Sequence, residues 1–308
     1  LGEVLAIADE VTVIRDGRTI GTVPAEGLSQ GDIATMMVGR EVLLRIAHTP
    51  AHPAEEILAV EDLTVVDDRG VTVLTSVSLS VRSGEIVGVA GVEGNGQSEL
   101  AAAVAGMHAV DSGRVVVDGT DVTAATFAQR RRAGLAYIPE DRYRYGMVAA
   151  YSVAENLVLN TYYRPPFAYH GVRDVEAVRE HAERLVKEFD IRTPSISVKA
   201  GSLSGGNQQK MVVARELGRP IALLIASQPT RGIDVGSIEF IHRQIVAQRD
   251  RGVAVLLVSA ELDEILALSD RIAVIYEGAI IAVVDGPTAT REQVGLLMAG
   301  VRAAVPVA

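Results

Sequence analysis

Residues 91–98 read GVEGNGQS, the spacing G-x-x-x-x-G-K-S/T of a phosphate-binding loop, with Gln97 where a lysine is expected. Such a loop works because consecutive backbone N–H groups at the foot of a helix point at phosphate oxygens, and the helix dipole adds to the attraction. The candidate nucleotide-binding residues are Gly91, Gly94, Asn95, Gly96, Gln97, Ser98 and Glu99, with the Ser98 hydroxyl as a weak ligand for Mg2+. Gln97 donates hydrogen bonds but brings no charge. A charge-assisted bond contributes roughly 1.5–3 kcal/mol against about 1 kcal/mol for a neutral one, so weakened binding of ATP is expected. A glycine turn without ligand is the plainer alternative. A dinucleotide fingerprint fits worse, because the glycines fall as G-x-x-G-x-G.

A second motif, LSGGNQQK at 203–210, places Ser204, Gly205 and Gly206 at the start of a helix running towards Arg215. A hydroxyl, backbone donors and a positive dipole end would face an anion there, with Gln208 in support. A serine that merely caps its helix is the simpler alternative. Against it stand the full eight residues, a buried strand that follows, and Pro229-Thr230-Arg231-Gly232-Ile233-Asp234.

Elements must hold these groups in place. Apolar runs bounded by turn residues predict strands at 57–66, 72–81, 85–90, 113–117, 136–138, 221–226, 253–258 and 272–276. The third runs straight into the glycine loop, giving strand, loop, helix. Buried runs alternating with helices predict an α/β fold with a mostly parallel sheet and an antiparallel portion near its start. Between Glu140 and Gly201 the pattern turns helical: Ser152-Val153-Ala154-Glu155 has capping-box spacing, and Val175, Val178, Ala182, Leu185 and Phe189 recur at gaps of three and four.

The two ends of the chain repeat. Leu1, Glu3, Leu5, Ala6, Asp9, Val13, Ile14, Gly17, Ile20, Val23, Met37 and Gly39 recur without gaps as Leu262, Glu264, Leu266, Ala267, Asp270, Val274, Ile275, Gly278, Ile281, Val284, Met298 and Gly300. Register is kept across the turns Asp16-Gly17 and Glu277-Gly278. Residues 1–47 are therefore expected to be the tail of a first unit whose front is absent, 48–56 a linker carrying Pro50 and Pro53, and 57–308 a complete second unit of about 250 residues, one domain in size.

Composition excludes several classes. With 308 residues, 48% of them apolar, the chain can bury a full core. A net charge of -10 without a long basic tail argues against a nucleic-acid partner, although Arg130, Arg131, Arg132, Arg142 and Arg144 concentrate positive charge locally. The absence of cysteine excludes disulfides and thiolate metal sites. His48 and His52 have helical spacing, but Pro50 and Pro53 break any helix there, so a linker is expected in place of a metal site. No apolar run approaches the roughly 20 residues that span a bilayer, so any membrane role must come through a partner.

In order and spacing, the glycine loop, LSGGNQQK, SQPTRGID and Ser259-Ala260-Glu261 resemble the ATP-binding cassette of ABC transporters. The NQQK continuation resembles the tandem-cassette ATPases of bacterial simple-sugar and nucleoside importers, and the run of substitutions is most similar to the second cassette of the nucleoside type. The resemblance implies a P-loop ATPase core with a helical subdomain at about 140–201. It also implies that this site is disarmed. Ser227 stands where an aspartate would hold magnesium, Gln228 where a glutamate would orient the attacking water, Ala260 at the switch histidine and Glu140 at the glutamine of the Q-loop; Val65 to Asp67 offers no aromatic to stack on adenine. Loss of a positioned general base costs roughly 10²- to 10⁴-fold, so the chain alone is expected to be inactive. In the family, Ser204 and Gly206 reach the γ-phosphate of ATP held by the opposite cassette, and Asp234 matches the D-loop, which also works across that interface. The partners implied are transmembrane permease subunits, a first cassette in the same chain or in a second ATPase subunit, and indirectly a periplasmic or lipoprotein solute-binding protein, at the cytoplasmic face of the cell membrane. The rivals are a non-catalytic docking cassette, and a soluble ABC translation factor, whose paired cassettes are joined by a long charged helix that this chain lacks.

Overall fold

The computed structural model describes residues 1–15, 17–39 and 49–301; Asp16, His48 and the expected boundary at residue 47 lie outside them. The N-terminal stretch builds α1 (Gly2–Ile7), β1 (Glu10–Arg15), β2 (Arg18–Pro24) and α2 (Gln30–Val38). β1 and β2 pair antiparallel, and Val11, Val13, Ala25 and Ile33 form a small core of their own. Ser29 opens α2 through a capping box with Asp32. The first strand after residue 49 begins at Glu56, one residue earlier than expected, and pairs there with Arg82. The residues just before it lie on the larger unit: Ala54 N donates to Ser83 O, and Ser83 N to Glu55 O.

The larger unit begins with β3 (Glu56–Val66), β4 (Thr72–Arg82), β5 (Ile86–Ala90), α3 (Gln97–Ala105), β6 (Ser112–Val117), β7 (Thr120–Asp121), α4 (Phe127–Arg132) and β8 (Leu135–Ile138). Strands β4-β3-β6-β7 form an antiparallel sheet whose apolar face shares a core with Leu100 and Val104 of α3. Next comes the helical region, with a π-helical turn at Arg142–Gly146, α5 (Val153–Leu157), a short hairpin of β9 (Ala168–Tyr169) and β10 (Val172–Arg173), and α6 (Val175–Glu188). The capping box at Ser152 and Glu155 is formed. Along α6, Val178, Ala182, Leu185 and Phe189 are buried as their spacing predicts, while Val175, at the first turn, faces solvent.

The chain then runs through α7 (Gly205–Leu217), β11 (Leu223–Ser227), α8 (Val235–Asp250), β12 (Ala254–Ser259), α9 (Leu262–Leu268), β13 (Arg271–Tyr276), β14 (Ala279–Asp285) and α10 (Arg291–Met298). The central sheet has the order β14-β13-β5-β12-β11-β8, parallel except for β14 at one edge. Its strands β5, β11 and β12 are buried at every residue, as expected for parallel strands covered on both faces. The carboxyl ends of these three neighbours gather the candidate residues, where ligands bind in open α/β sheets. The repeat seen in sequence is also a repeat of elements. β1 and β2 correspond residue for residue to β13 and β14, and both hairpins break register at the matched positions Val13/Ile14 and Val274/Ile275.

Candidate nucleotide site and signature helix

β5 delivers the chain into the glycine loop, and α3 starts at Gln97 with Gly96 before it at φ 103°. That conformation favours glycine, and a Cβ there would also lie 2.8 Å from Leu74 and 3.0 Å from Val73 O. Asn95 pins the loop to the β13–β14 turn: its Oδ1 accepts from Glu277 N at 3.1 Å, and its carbonyl from Gly278 N at 3.1 Å. Gln97 is buried, and its Nε2 has no hydrogen-bond partner. An unpaired buried donor at the base of an amide cradle fits a phosphate acceptor. Gly91, Gly94, Gly96 and Ser98 lie on the loop between β5 and α3 or at the first turn of that helix, as the spacing predicts. For magnesium the fit is thin. Ser98 Oγ is exposed but already donates to Glu140 Oε2 at 2.7 Å, and the described residues include no cluster of three acidic or histidine side chains able to hold a metal. Glu99 is half-buried.

The substituted positions are engaged with one another. Ser227 ends β11 fully buried, in register with Val258 of β12. Gln228, at φ 47°, donates its N–H to Val258 O at 2.7 Å and accepts from Ala260 N at 3.2 Å through Oε1. Glu140 accepts not only from Ser98 but also from Arg231 Nη1, and Arg231 Nη2 reaches Glu93 Oε1 at 3.5 Å. Arg231 was legible only as part of PTRGID; its separation of 91 residues from Glu140 leaves no local spacing to signal the pair. Just before Glu140, Tyr137 adds no charge, because burial and then the Glu140 carboxylate push its phenol up to about 12. A cavity of about 990 Å³ opens beside this cluster, lined by Glu93, Gln228, Arg231 and Ala260, with Ser29 and Gln30 of the N-terminal unit across it.

The signature helix α7 is in a different condition. Ser204 occupies the N-cap position but makes no side-chain capping bond, so capping does not explain it. Its exposed Oγ accepts from Asn207 Nδ2 at 2.9 Å, which leaves the hydroxyl proton free to donate outward. Behind it the helix is firmly set. Gln208 is buried, with Nε2 on Leu203 O at 3.0 Å and Oε1 accepting from Arg142 Nε at 3.3 Å, so it positions the motif without facing outward. Gln209 Nε2 donates to Pro229 O, and Lys210 pairs with Asp190. Gly206 is buried against α8: a Cβ there would sit 2.2 Å from Ser237 Oγ and 2.3 Å from Asp234 Oδ2. Asp234 caps α8, accepting from Ser237 N and Oγ at 2.9 and 2.8 Å.

Residues 74–231 match the family model described as ABC transporter. The chain belongs to the ABC transporter family. It is 47% identical over 294 residues to the guanosine import ATP-binding protein NupO of Bacillus subtilis, covering 96% of this chain and 58% of that one. It is 46% identical to the nucleoside import ATP-binding protein NupA of Lactococcus lactis subsp. cremoris, covering 97% and 59%. The glucose import ATP-binding protein TsgD13 of Haloferax volcanii is 45% identical, with 97% and 55% covered. The chain thus spans somewhat under two thirds of the length of these ABC relatives. A solved dimeric bacterial ABC transporter cassette superposes with a TM-score of 0.66 at 21% identity, covering 76% of this chain and all of that one, which shows the ABC ATPase fold. As in that fold, the parallel core carries the glycine loop, an antiparallel sheet and a helical region.

Proposed function

We propose that this chain is the second, disarmed cassette of an ATP-binding subunit that drives import of a nucleoside or simple sugar. In this reading residues 1–47 are the end of the first cassette, 48–56 the linker and 57–308 the second cassette. The first cassette holds MgATP, and this one lays Ser204 to Gly206 against its γ-phosphate. ATP supplies the phosphoanhydride bond that is broken. Ser204 donates its hydroxyl proton to the phosphate oxygens, the amides at the start of α7 add their dipoles, and Asp234 faces the same interface from α8. At this cassette's own loop the amides bind a second nucleotide weakly, while Ser227, Gln228 and Ala260 supply neither metal anchor, base nor imidazole.

One contrast carries the reading. Gln228 is tied to the Ala260 backbone and Ser98 to Glu140, whereas the exposed Ser204 hydroxyl only accepts, from Asn207, and makes no capping bond to its helix backbone. Relatives named for guanosine and nucleoside import support the solute class, and the matched hairpins at the two chain ends support the domain reading. In the helical region, a groove lined by Val148, Val158, Arg173 and the exposed rings of Tyr151 and Tyr162 supports docking of a permease, which would hold the protein at the cytoplasmic face of the membrane. The described residues include no helix long and apolar enough to cross a membrane. The test is steady-state phosphate release. The chain alone should give background, and the complete tandem protein with its permease should turn over at ordinary enzyme rates of about 1–10³ per second. Turnover by the chain alone that is lost on changing Ser98 would overturn the disarmed-site reading.

A further inference from the structure

The loop at 91–98 lacks the positive charge of a phosphate-binding lysine, yet the structure brings a cation to it from elsewhere. Arg231 lies four residues beyond the end of β11. Its backbone is fixed on both sides: its N–H donates to Gln228 O at 3.1 Å, and its carbonyl accepts from Arg142 Nη1 at 3.2 Å. From there the half-exposed guanidinium reaches Glu93, the third residue of the loop, at 3.5 Å, and Glu140, which in turn holds Ser98 Oγ at 2.7 Å. The guanidinium therefore stands at the mouth of the loop, next to the hydroxyl at the start of α3. At the base of the same loop lies the buried, unpartnered Nε2 of Gln97.

We propose that Arg231 is the cation of this cassette's own phosphate site, taking over from the lysine replaced by Gln97. The proposal rests on the reading above that the loop still binds nucleotide. Arg231 suits the task because its planar fork can grip two phosphate oxygens at once. Glu93 and Glu140 hold it in place when the site is empty and compete with phosphate for it. Together the three side chains leave one net negative charge, so an incoming phosphate must displace at least one carboxylate, and affinity is modest. Because Ser98 is engaged by Glu140 and β11 ends in Ser227 in place of an acid, the guanidinium supplies the counter-charge that a metal ordinarily would. Phosphate binding here is then independent of magnesium.

Calorimetric titration of the 308-residue chain with ATP, in magnesium and in EDTA, tests this, with thermal melting as the control for folding. The wild-type affinity should agree within about twofold between the two buffers. Arg231→Ala should weaken it about tenfold or more, the loss of one charge-assisted contact, and Arg231→Lys should fall between. Glu140→Gln should tighten binding, since it removes a competing carboxylate and frees the guanidinium. Opposite signs for Arg231→Ala and Glu140→Gln separate a phosphate ligand from a prop, because a purely structural ion pair would respond alike to loss of either partner. Unchanged binding by Arg231→Ala overturns the proposal, as does equal weakening by both variants. Binding that requires magnesium and disappears in Glu140→Gln assigns the carboxylate to a metal and also overturns it. If wild type binds no ATP in either buffer, the loop is not a phosphate site, and the proposal falls together with the reading beneath it.

Discussion

At the carboxyl ends of β5, β11 and β12 the polar side chains bind one another, whereas at the start of α7 the exposed Ser204 hydroxyl only accepts, from Asn207, and donates to no described residue. In the first region Ser98, Glu140, Arg231 and Glu93 form a chain of contacts, and Gln228 closes on Ala260. In the second, Asn207, Gln208 and Gln209 anchor the helix from behind and leave Ser204 facing outward. Internal bonding of this kind removes groups from ligand chemistry, because a donor or acceptor satisfied within the fold must be released before it can serve elsewhere. On the function proposed above, this contrast fits a chain that offers a donor surface to a phosphate held by another unit and keeps a closed, weak version of its own loop.

The substitution with the largest expected effect attacks the second region. In the tandem protein proposed above, assembled with its permease, Gly206→Asp should abolish uptake and reduce ATP turnover by about 100-fold or more. Two causes act together. Even its Cβ would lie within 2.3 Å of Asp234 Oδ2, and overpacking of this kind costs about 1–3 kcal/mol. Its carboxylate would add a second negative charge at the interface. Uptake measured at matched protein abundance reads the sum. A Gly206→Asp protein that imports normally would break the comparison outright.

Ser204→Ala is the cleaner cut and the next largest. Ser204 makes no capping bond in its own helix, so the change should leave the melting temperature of the isolated chain within about 1 °C while lowering turnover of the full assembly about tenfold. Asn207 keeps its other bond, from Arg192 N to its Oδ1 at 2.7 Å. If the stability fell and turnover did not, Ser204 would be a structural residue after all, and the two regions would differ less than argued.

Much of this was legible in the sequence because buried parallel strands are written as short, dense apolar runs. The strands before the glycine loop and at Leu223–Ser227 and Ala254–Ser259 lie within a residue or two of their expected places. Edge elements were harder. β14 buries only Val284, the rest of Ala279 to Asp285 being intermediate or exposed, so its pattern is weak, and the β9–β10 hairpin is two residues a side. The capping box at Ser152 could be read because both partners sit three residues apart. The Glu140–Arg231 pair and the Gln228–Ala260 bond could not, since each joins segments far apart in the chain. The end repeat shows the same limit. Ile14 and Ile275 are matched in sequence and in hairpin register, yet Ile14 is largely exposed beside its two-stranded sheet while Ile275 is fully buried beside the six-stranded one. Local pattern sets the hairpin, and the neighbouring sheet decides what is buried.

The smallest expected effect sharpens the comparison from the first region. Gln97→Leu replaces a buried amide whose Nε2 has no partner by an apolar side chain one bond shorter. An unsatisfied buried donor costs about 1–3 kcal/mol, so removing it should stabilise the nucleotide-free chain by about 1 kcal/mol after some loss of fit. For a chain of this size that raises the melting temperature by about 2 °C, while uptake by the complete assembly should be unchanged. Differential scanning calorimetry without nucleotide decides the point. A drop of the same size would mean that the amide is already satisfied in solution, by water or by a phosphate held in the loop. The loop would then be an occupied site that contributes to folding, and the closed condition of the first region would describe only its nucleotide-free state.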